Sequence, residues 1–123
     1  MNRSAALGAS GEAIAERHLE AKGYISVGRN WHCRAGEIDL IMLDGDVLVF
    51  VEVKLRRTRT AGAAEEAVSA NKASRLLAAG DWFVAEHAEH ADRFWRIDVV
   101  AITMGQRSEP ERVTHVQNAV TFG

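Results

Sequence analysis

The segment Gly36-Glu37-Ile38-Asp39-Leu40-Ile41-Met42-Leu43-Asp44-Gly45-Asp46-Val47-Leu48-Val49-Phe50-Val51-Glu52-Val53-Lys54 decides the fold. Two runs of aliphatic, aromatic and β-branched residues, the types that strands favour, flank the pair Asp44-Gly45. That pair signals a hairpin, because both central residues of a type I′ turn need positive φ. Four ionisable residues interrupt the apolar runs: Glu37, Asp39, Glu52 and Lys54. Charges are seldom buried without a partner, so each of the four needs an explanation.

Alternation supplies part of it, since side chains along a strand change face with period two. A turn on Asp44-Gly45 pairs Leu43 with Asp46, hence Asp39 with Phe50 and Glu37 with Glu52. A turn on Gly45-Asp46 pairs Asp39 directly with Glu52. Either register puts the four charges on one face, with Asp39 opposite or diagonal to Glu52. Like charges across a strand pair repel. A hard divalent cation, which takes oxygen ligands, would convert that repulsion into ligation.

The second strand reads differently on its two faces. Val47, Val49, Val51, Val53 and Leu55 make one face aliphatic, as expected beneath a helix. Leu48, Phe50, Glu52, Lys54 and Arg56 make the other face apolar at its start and charged at its end. Such a strand belongs in the centre of its sheet, with the charged half opening into a cleft.

Asp39, followed after a hairpin by Glu52-Val53-Lys54, resembles the PD-(D/E)XK nuclease core. The wider pattern, Gly36 to Ile41 and then Val49 to Lys54, resembles the YraN family of bacterial proteins, relatives of archaeal Holliday-junction resolvases. The likeness spans nearly the whole chain. It takes in Glu12, Ala15, Leu19 and Gly23 in a first helix, Asn30 before the hairpin, Lys72 in a later helix, and Arg96-Ile97-Asp98-Val99-Val100. Ile38 stands where the generic nuclease motif has proline, and Val120 where an aromatic is commoner; neither position carries a ligand. The element order helix, strand, hairpin, helix, strand, strand implies an α/β fold, a mixed β-sheet flanked by helices on both faces, and the resemblance implies a restriction-endonuclease-like core. It also implies metal-dependent hydrolysis of phosphodiester bonds in nucleic acid. In that reading Asp39 and Glu52 hold magnesium or manganese, and Glu12 is a third carboxylate reaching the metal from the first helix. Lys54 stabilises charge at the phosphate, and Glu37 stands behind the ligands.

Around the hairpin the chain reads as one domain, 1–123. Residues 9–22 are helical by period, with Gly23 as the stop. Tyr24 to Arg29 alternates as a strand, and Asn30 to Ala35 reads as a polar connection. Thr58 to Ala63 is a small, polar loop. A helical stripe runs from about Ala64 to Glu89, as one helix or two abutting. Phe94 to Thr103 is a strand with an Arg96–Asp98 link, Gly105 to Glu111 a turn containing Pro110, and Arg112 to Val116 a last strand. His87 and His90 are i,i+3 neighbours, and a solvated helix end is preferred to a metal site for them.

Hydrophobic residues make up 47% and charged residues 26% of the chain, the balance of a globular protein with a core. Cys33 is the single cysteine, which excludes an internal disulfide and suits a reducing cytoplasm. No apolar run has transmembrane length. The net charge of −2 is not that of a typical DNA-binding domain. The basic residues are clustered, however: Lys54, Arg56, Arg57 and Arg59 follow Glu52 closely. With Lys72 they form either a solvated surface or a rim that meets a phosphate backbone beside an acidic pocket. The expected partner is nucleic acid, DNA first, and a resolvase-like activity would call for a two-fold homodimer. The competing expectations are a non-cleaving nucleic-acid-binding or adaptor module on the same scaffold, and a purely structural Glu52–Lys54 pair.

Overall fold

A computed structural model of the chain describes residues 3–56, 69–105 and 109–120, with side chains from 11 onward. The elements are α1 (Arg3–Ala21), β1 (Ile25–Cys33), β2 (Gly36–Asp44), β3 (Val47–Arg56), α2 (Ala70–Glu86), β4 (Trp95–Met104) and β5 (Pro110–Val116). A 3₁₀ turn, Ala88–His90, follows α2. The five strands form one mixed sheet in the order β1-β2-β3-β4-β5. All neighbours are antiparallel except β3 and β4, which are parallel. Parallel neighbours need a long crossover, and α2 lies within that connection. The fold is thus α/β, with β3 in the centre as its sequence requires.

The two helices cover opposite faces. Ala15 and Leu19 of α1 pack with Leu40, Met42, Val49, Val51, Val100 and Ile102. Leu76, Ala79 and Phe83 of α2 pack with Ile38, Ile41, Leu48, Phe50 and Ile97. The odd positions of β3 therefore face α1 and its even positions face α2. No described helix is long and apolar enough to cross a membrane.

Several boundaries differ from the sequence reading. The hairpin turn is Gly45-Asp46, since Asp44 pairs with Val47 and Leu43 with Leu48. Gly45 has φ 59 while Asp46 is not in the positive region, the pattern of a type II′ turn with glycine first. β1 runs on through Trp31 and His32, because Gly36 to Leu43 gives those residues a full set of partners. Pro110 opens β5 at the sheet edge, where its missing N–H costs no ladder bond. The chain from 57 to 68, including the expected loop and the first residues of the expected helical stripe, lies outside the described residues. Within them α2 begins after Ser69, whose side chain caps the helix by accepting from the Lys72 N–H.

Polar side chains fix the rest. Glu16 of α1, 7% exposed, accepts from Ser26 at 2.7 Å and from both Nε and Nη2 of Arg29, which ties the helix to the edge strand. On the α1 face of β4, fully buried Asp98 receives Arg96 Nε at 2.9 Å, the Asn118 N–H at 2.9 Å and the His115 ring at 2.7 Å. Arg96 also reaches Tyr24 and Asp44. The Arg96–Asp98 link is structural, as the alternation of β4 predicts, and it connects β2 and β5 to Tyr24 after α1.

Gly80 sets how closely α2 approaches the sheet. A Cβ there would lie 2.8 Å from the Trp95 ring and 3.0 Å from Phe50, and those two rings are wedged edge to face. Gly80→Ala should therefore destabilise the fold. Overpacking costs about 1–3 kcal/mol, against a gain of about 1 kcal/mol in helix propensity. Urea titration should give a lower midpoint than wild type; an increase would mean that α2 rides further from the sheet.

Candidate functional site

The hairpin ladder between β2 and β3 runs from Asp44↔Val47 to Leu40↔Val51 and stops there. Asp39 and Glu52 are the next residues on the two strands, so they come level where the ladder opens. Instead of a strand carbonyl, the Asp39 carboxylate accepts the Val53 N–H, at 2.8 Å. Of the two registers open to the sequence, the structure takes the one that sets Asp39 beside Glu52.

The local backbone explains how. Asn30 of β1 sits at φ 51, opposite Asp39 in the run from Arg29↔Leu40 to Trp31↔Ile38. At this level both strands break their alternation. Arg29 pairs with Glu16 on the α1 side, and Leu40 packs there as well. Trp31, two residues after Arg29, and Ile38, two before Leu40, pack on the α2 side. The flip releases Asp39 from ordinary ladder geometry. Asparagine tolerates left-handed backbone better than most residues. The sequence carried that signal only as one position of a family pattern.

Glu52 lies on the α2 face and is 4% exposed. Lys72, from the first turn of α2, places Nζ 3.0 Å from Glu52 Oε1. Lys54 places its Nζ 3.7 Å from the same oxygen. Lys72, expected on a phosphate-binding surface, is therefore inside the site, with its side chain 41% exposed. The hydrogen bond to Glu52 raises its pKa and holds it charged. Glu37 is mostly exposed and pairs with His32 at 3.2 Å.

The Asp39 carboxylate is bonded to the Val53 backbone N–H, and Lys72 acts on it only through its charge. Burial, with the negative charges of Glu52, Glu12 and Glu37 added, pushes the Asp39 pKa from 3.8 to about 7 despite the bond from Val53. Glu12 is thus near enough to act on Asp39 through its charge. It fits that Gly11, one residue earlier, approaches Leu55 near the end of β3. Among the described residues no three carboxylate, histidine or cysteine side chains gather as a ready ligand set. Asp39 and Glu52 are the close pair, with Glu12 at longer range. The donor chemistry fits a hard cation: the groups are oxygens, and the carboxylates Glu12, Glu37, Asp39 and Glu52 outnumber the ammonium groups of Lys54 and Lys72. Arg56 lies at the end of β3, while Arg57 and Arg59 fall outside the described residues.

Asp39 and Asp98 give opposite pH dependences. Asp39 has a folded pKa above its unfolded one, so in metal-free buffer it favours the fold at acid pH. That contribution is lost as pH rises from about 4 to about 7, on the order of 2–4 kcal/mol. Asp98 works the other way. Burial pushes it upward, but His115, Arg96 and the Asn118 N–H hold it below the ordinary value; its contribution is present at neutral pH and lost as pH falls below about 4. Asp39→Asn should flatten the decline between pH 4 and 7 and melt higher than wild type at pH 8. Melts in EDTA across this range check it. At the opposite strand, Asn30→Ala should cost on the order of 1 kcal/mol, because alanine lacks the polar side chain that lets asparagine tolerate left-handed backbone, whereas Asn30→Gly, with no Cβ, should cost little or nothing. Chemical denaturation of both variants reads the difference.

The same elements are those that known proteins share. A family model described as Uncharacterised protein family UPF0102 matches residues 11–102, from α1 into β4. A UPF0102 protein of Pseudomonas aeruginosa (strain LESB58) is 43% identical over 112 residues, 91% of this chain and 90% of its own length. A UPF0102 protein of Roseiflexus castenholzii is 45% identical over 119 residues, 96% and 95% of the two chains. One from Frankia casuarinae is 43% identical over 119 residues, 97% and 99%. The chain belongs to the UPF0102, or YraN, family.

Proposed function

We propose that this chain is a metal-dependent nuclease that hydrolyses phosphodiester bonds in nucleic acid, with DNA, branched DNA included, as the expected substrate. One observation carries the reading: Asp39 and Glu52 stand level where the central hairpin opens, and Lys54 and Lys72 converge on Glu52. The hairpin, the parallel strand beside it and the helices on opposite faces support a restriction-endonuclease-like core.

In this proposal Asp39 and Glu52 hold magnesium or manganese, with Glu12 and Glu37 adding negative potential. Bound there, the cation supplies Lewis-acid polarisation of a phosphoryl oxygen and a more acidic water. Asp39 retains a proton near neutral pH until a cation displaces it, so metal binding should strengthen as pH rises through about 7. Lys54 and Lys72 hold the Glu52 carboxylate in place. Their remaining N–H groups are suited to stabilising charge that develops on the phosphate. The basic run from Lys54 to Arg59 would draw the backbone toward the cleft, with a salt dependence that reflects the phosphates contacted.

A second reading has its own support. Lys72 at 3.0 Å already neutralises Glu52 without a metal, which suits a non-cleaving nucleic-acid-binding module on the same scaffold. Titration with magnesium and manganese by calorimetry separates the two. The nuclease reading expects binding in wild type that disappears in Asp39→Ala and Glu52→Gln. It also expects cleavage of at least one of linear, flap and four-way-junction DNA, abolished in both variants. Glu52→Gln should stay folded while losing about 1–3 kcal/mol, because two ammonium groups lose their charged acceptor. Absence of metal binding at millimolar concentration would sink the enzyme and leave the binding module.

A further inference from the structure

On the α2 side of the sheet, near the C-terminal end of α2, an open cavity of about 320 Å³ lies against β1. It exists because of Gly28. Gly28 pairs with Ile41, which packs on the α2 side, so position 28 faces that side and contributes no side chain to it. A Cβ placed on Gly28 meets no atom within 4 Å. Four rings, Trp31, Phe83, His87 and His90, stand among the surrounding walls. Trp31 meets Phe83 edge-on with centroids 5.3 Å apart, and His87 stacks on Phe83 at 3.9 Å and 18°. Rings braced against one another in this way do not collapse into the space.

The histidines add polar edges. His87 Nδ1 is 2.7 Å from the Phe83 carbonyl oxygen, an acceptor, which assigns the proton to Nδ1 and leaves Nε2 able to accept. His90 Nδ1 accepts from Arg93 Nε at 3.1 Å, which assigns its proton to Nε2. The wall thus combines aromatic surface with the polar edges of the two histidines, the Glu89 carboxylate and Arg29, the last already paired with Glu16. The volume lies at the lower end of the range for small-molecule sites, about 300–1,000 Å³, so it suits one flat ring system and not a helix or strand of a protein partner.

We propose that this cavity receives an unpaired nucleobase of a single-stranded nucleic-acid segment, whose ring stacks on the aromatic wall as bases do on single-strand-binding surfaces. The inference rests on the nucleic-acid reading of the carboxylate site and specifies its substrate. Trp31 pairs with Ile38, the residue before Asp39, so one wall of the cavity reaches the strand that carries Asp39, while its histidine wall lies toward the other end of α2 from Lys72. A base held in the cavity would place its strand alongside the cleft.

Gly28 supplies the test. Its φ is outside the left-handed region, so Gly28→Val and Gly28→Leu should fill the cavity while melting close to wild type. Fluorescence anisotropy of a fluorescein-labelled oligothymidylate in EDTA reads binding without cleavage. Affinity should fall in the order wild type, Gly28→Val, Gly28→Leu. The last step should reach roughly 5- to 150-fold, the loss of one stacked base, with binding of a fully paired duplex unchanged. Should either variant melt early, His87→Ala in the same assay gives the second reading, again with selective loss of single-strand binding expected. Unchanged affinity in the filled variants overturns the proposal. So does an equal loss for duplex, a loss explained by altered oligomeric state in light scattering, or no oligonucleotide binding by wild type. The nuclease reading fails separately: absence of cleavage with any metal leaves a Gly28-dependent binding loss intact, and cleavage with unaltered binding removes only the cavity's role.

Discussion

Glu52 is a carboxylate on the central strand of the sheet, covered on both faces, and its charge has to be matched from outside that strand. Lys54 alone, 3.7 Å away on the same face, leaves it poorly matched. Lys72 completes the match from α2. The position of α2 therefore carries electrostatic as well as hydrophobic weight. Gly80 lets the helix come close, Phe83 and Leu76 anchor it, and the Ser69 cap starts it where Lys72 can reach Oε1. A buried carboxylate that lost its ammonium partners would cost more than either ion pair is worth in isolation.

The second constraint is the flip at Asn30 and Asp39. Two regular strands would keep alternating, and Trp31 and Ile38 would face α1. At the level of the left-handed Asn30 both strands change face, so Trp31 and Ile38 pack toward α2 and the Asp39 carboxylate accepts the Val53 N–H. The opening of the hairpin and the Trp31 wall of the cavity both lie at this level of the sheet.

The two most perturbed aspartates show how environment assigns roles to one side chain. Asp98 is wholly buried, yet three donors from β4, β5 and the chain after β5 surround it, so it stays ionised and braces the sheet. Asp39 is less buried but has one backbone donor and three acidic neighbours, so it holds a proton far above its ordinary range. The first is satisfied within the protein. The second is left with a proton or an outside partner to balance it, which is how a structural carboxylate and a candidate site residue differ when both sit on strands of one sheet.

By itself the sequence determined most of the elements and the two faces of the central strand. The period-two pattern of Val47 to Arg56 required a central strand with one aliphatic face, and the i,i+4 pair Ala15 and Leu19 required a helix to cover it. These are local signals, fixed by side-chain direction along a strand or helix. Asp39, Glu52 and Lys54 were legible as a constellation for the same reason. Only the tertiary structure decided the rest. It chose the Gly45-Asp46 turn, because moving the turn by one position keeps every side chain on its face and changes only which residues stand opposite one another, here Asp39 and Glu52. It brought Lys72 into the site, since that depends on where a helix eighteen residues further along docks. It made a cavity of Gly28, whose missing side chain has meaning only beside Ile41, Trp31 and Phe83. Contacts between elements distant in sequence leave no period to read, and the chemistry of this protein is built from them.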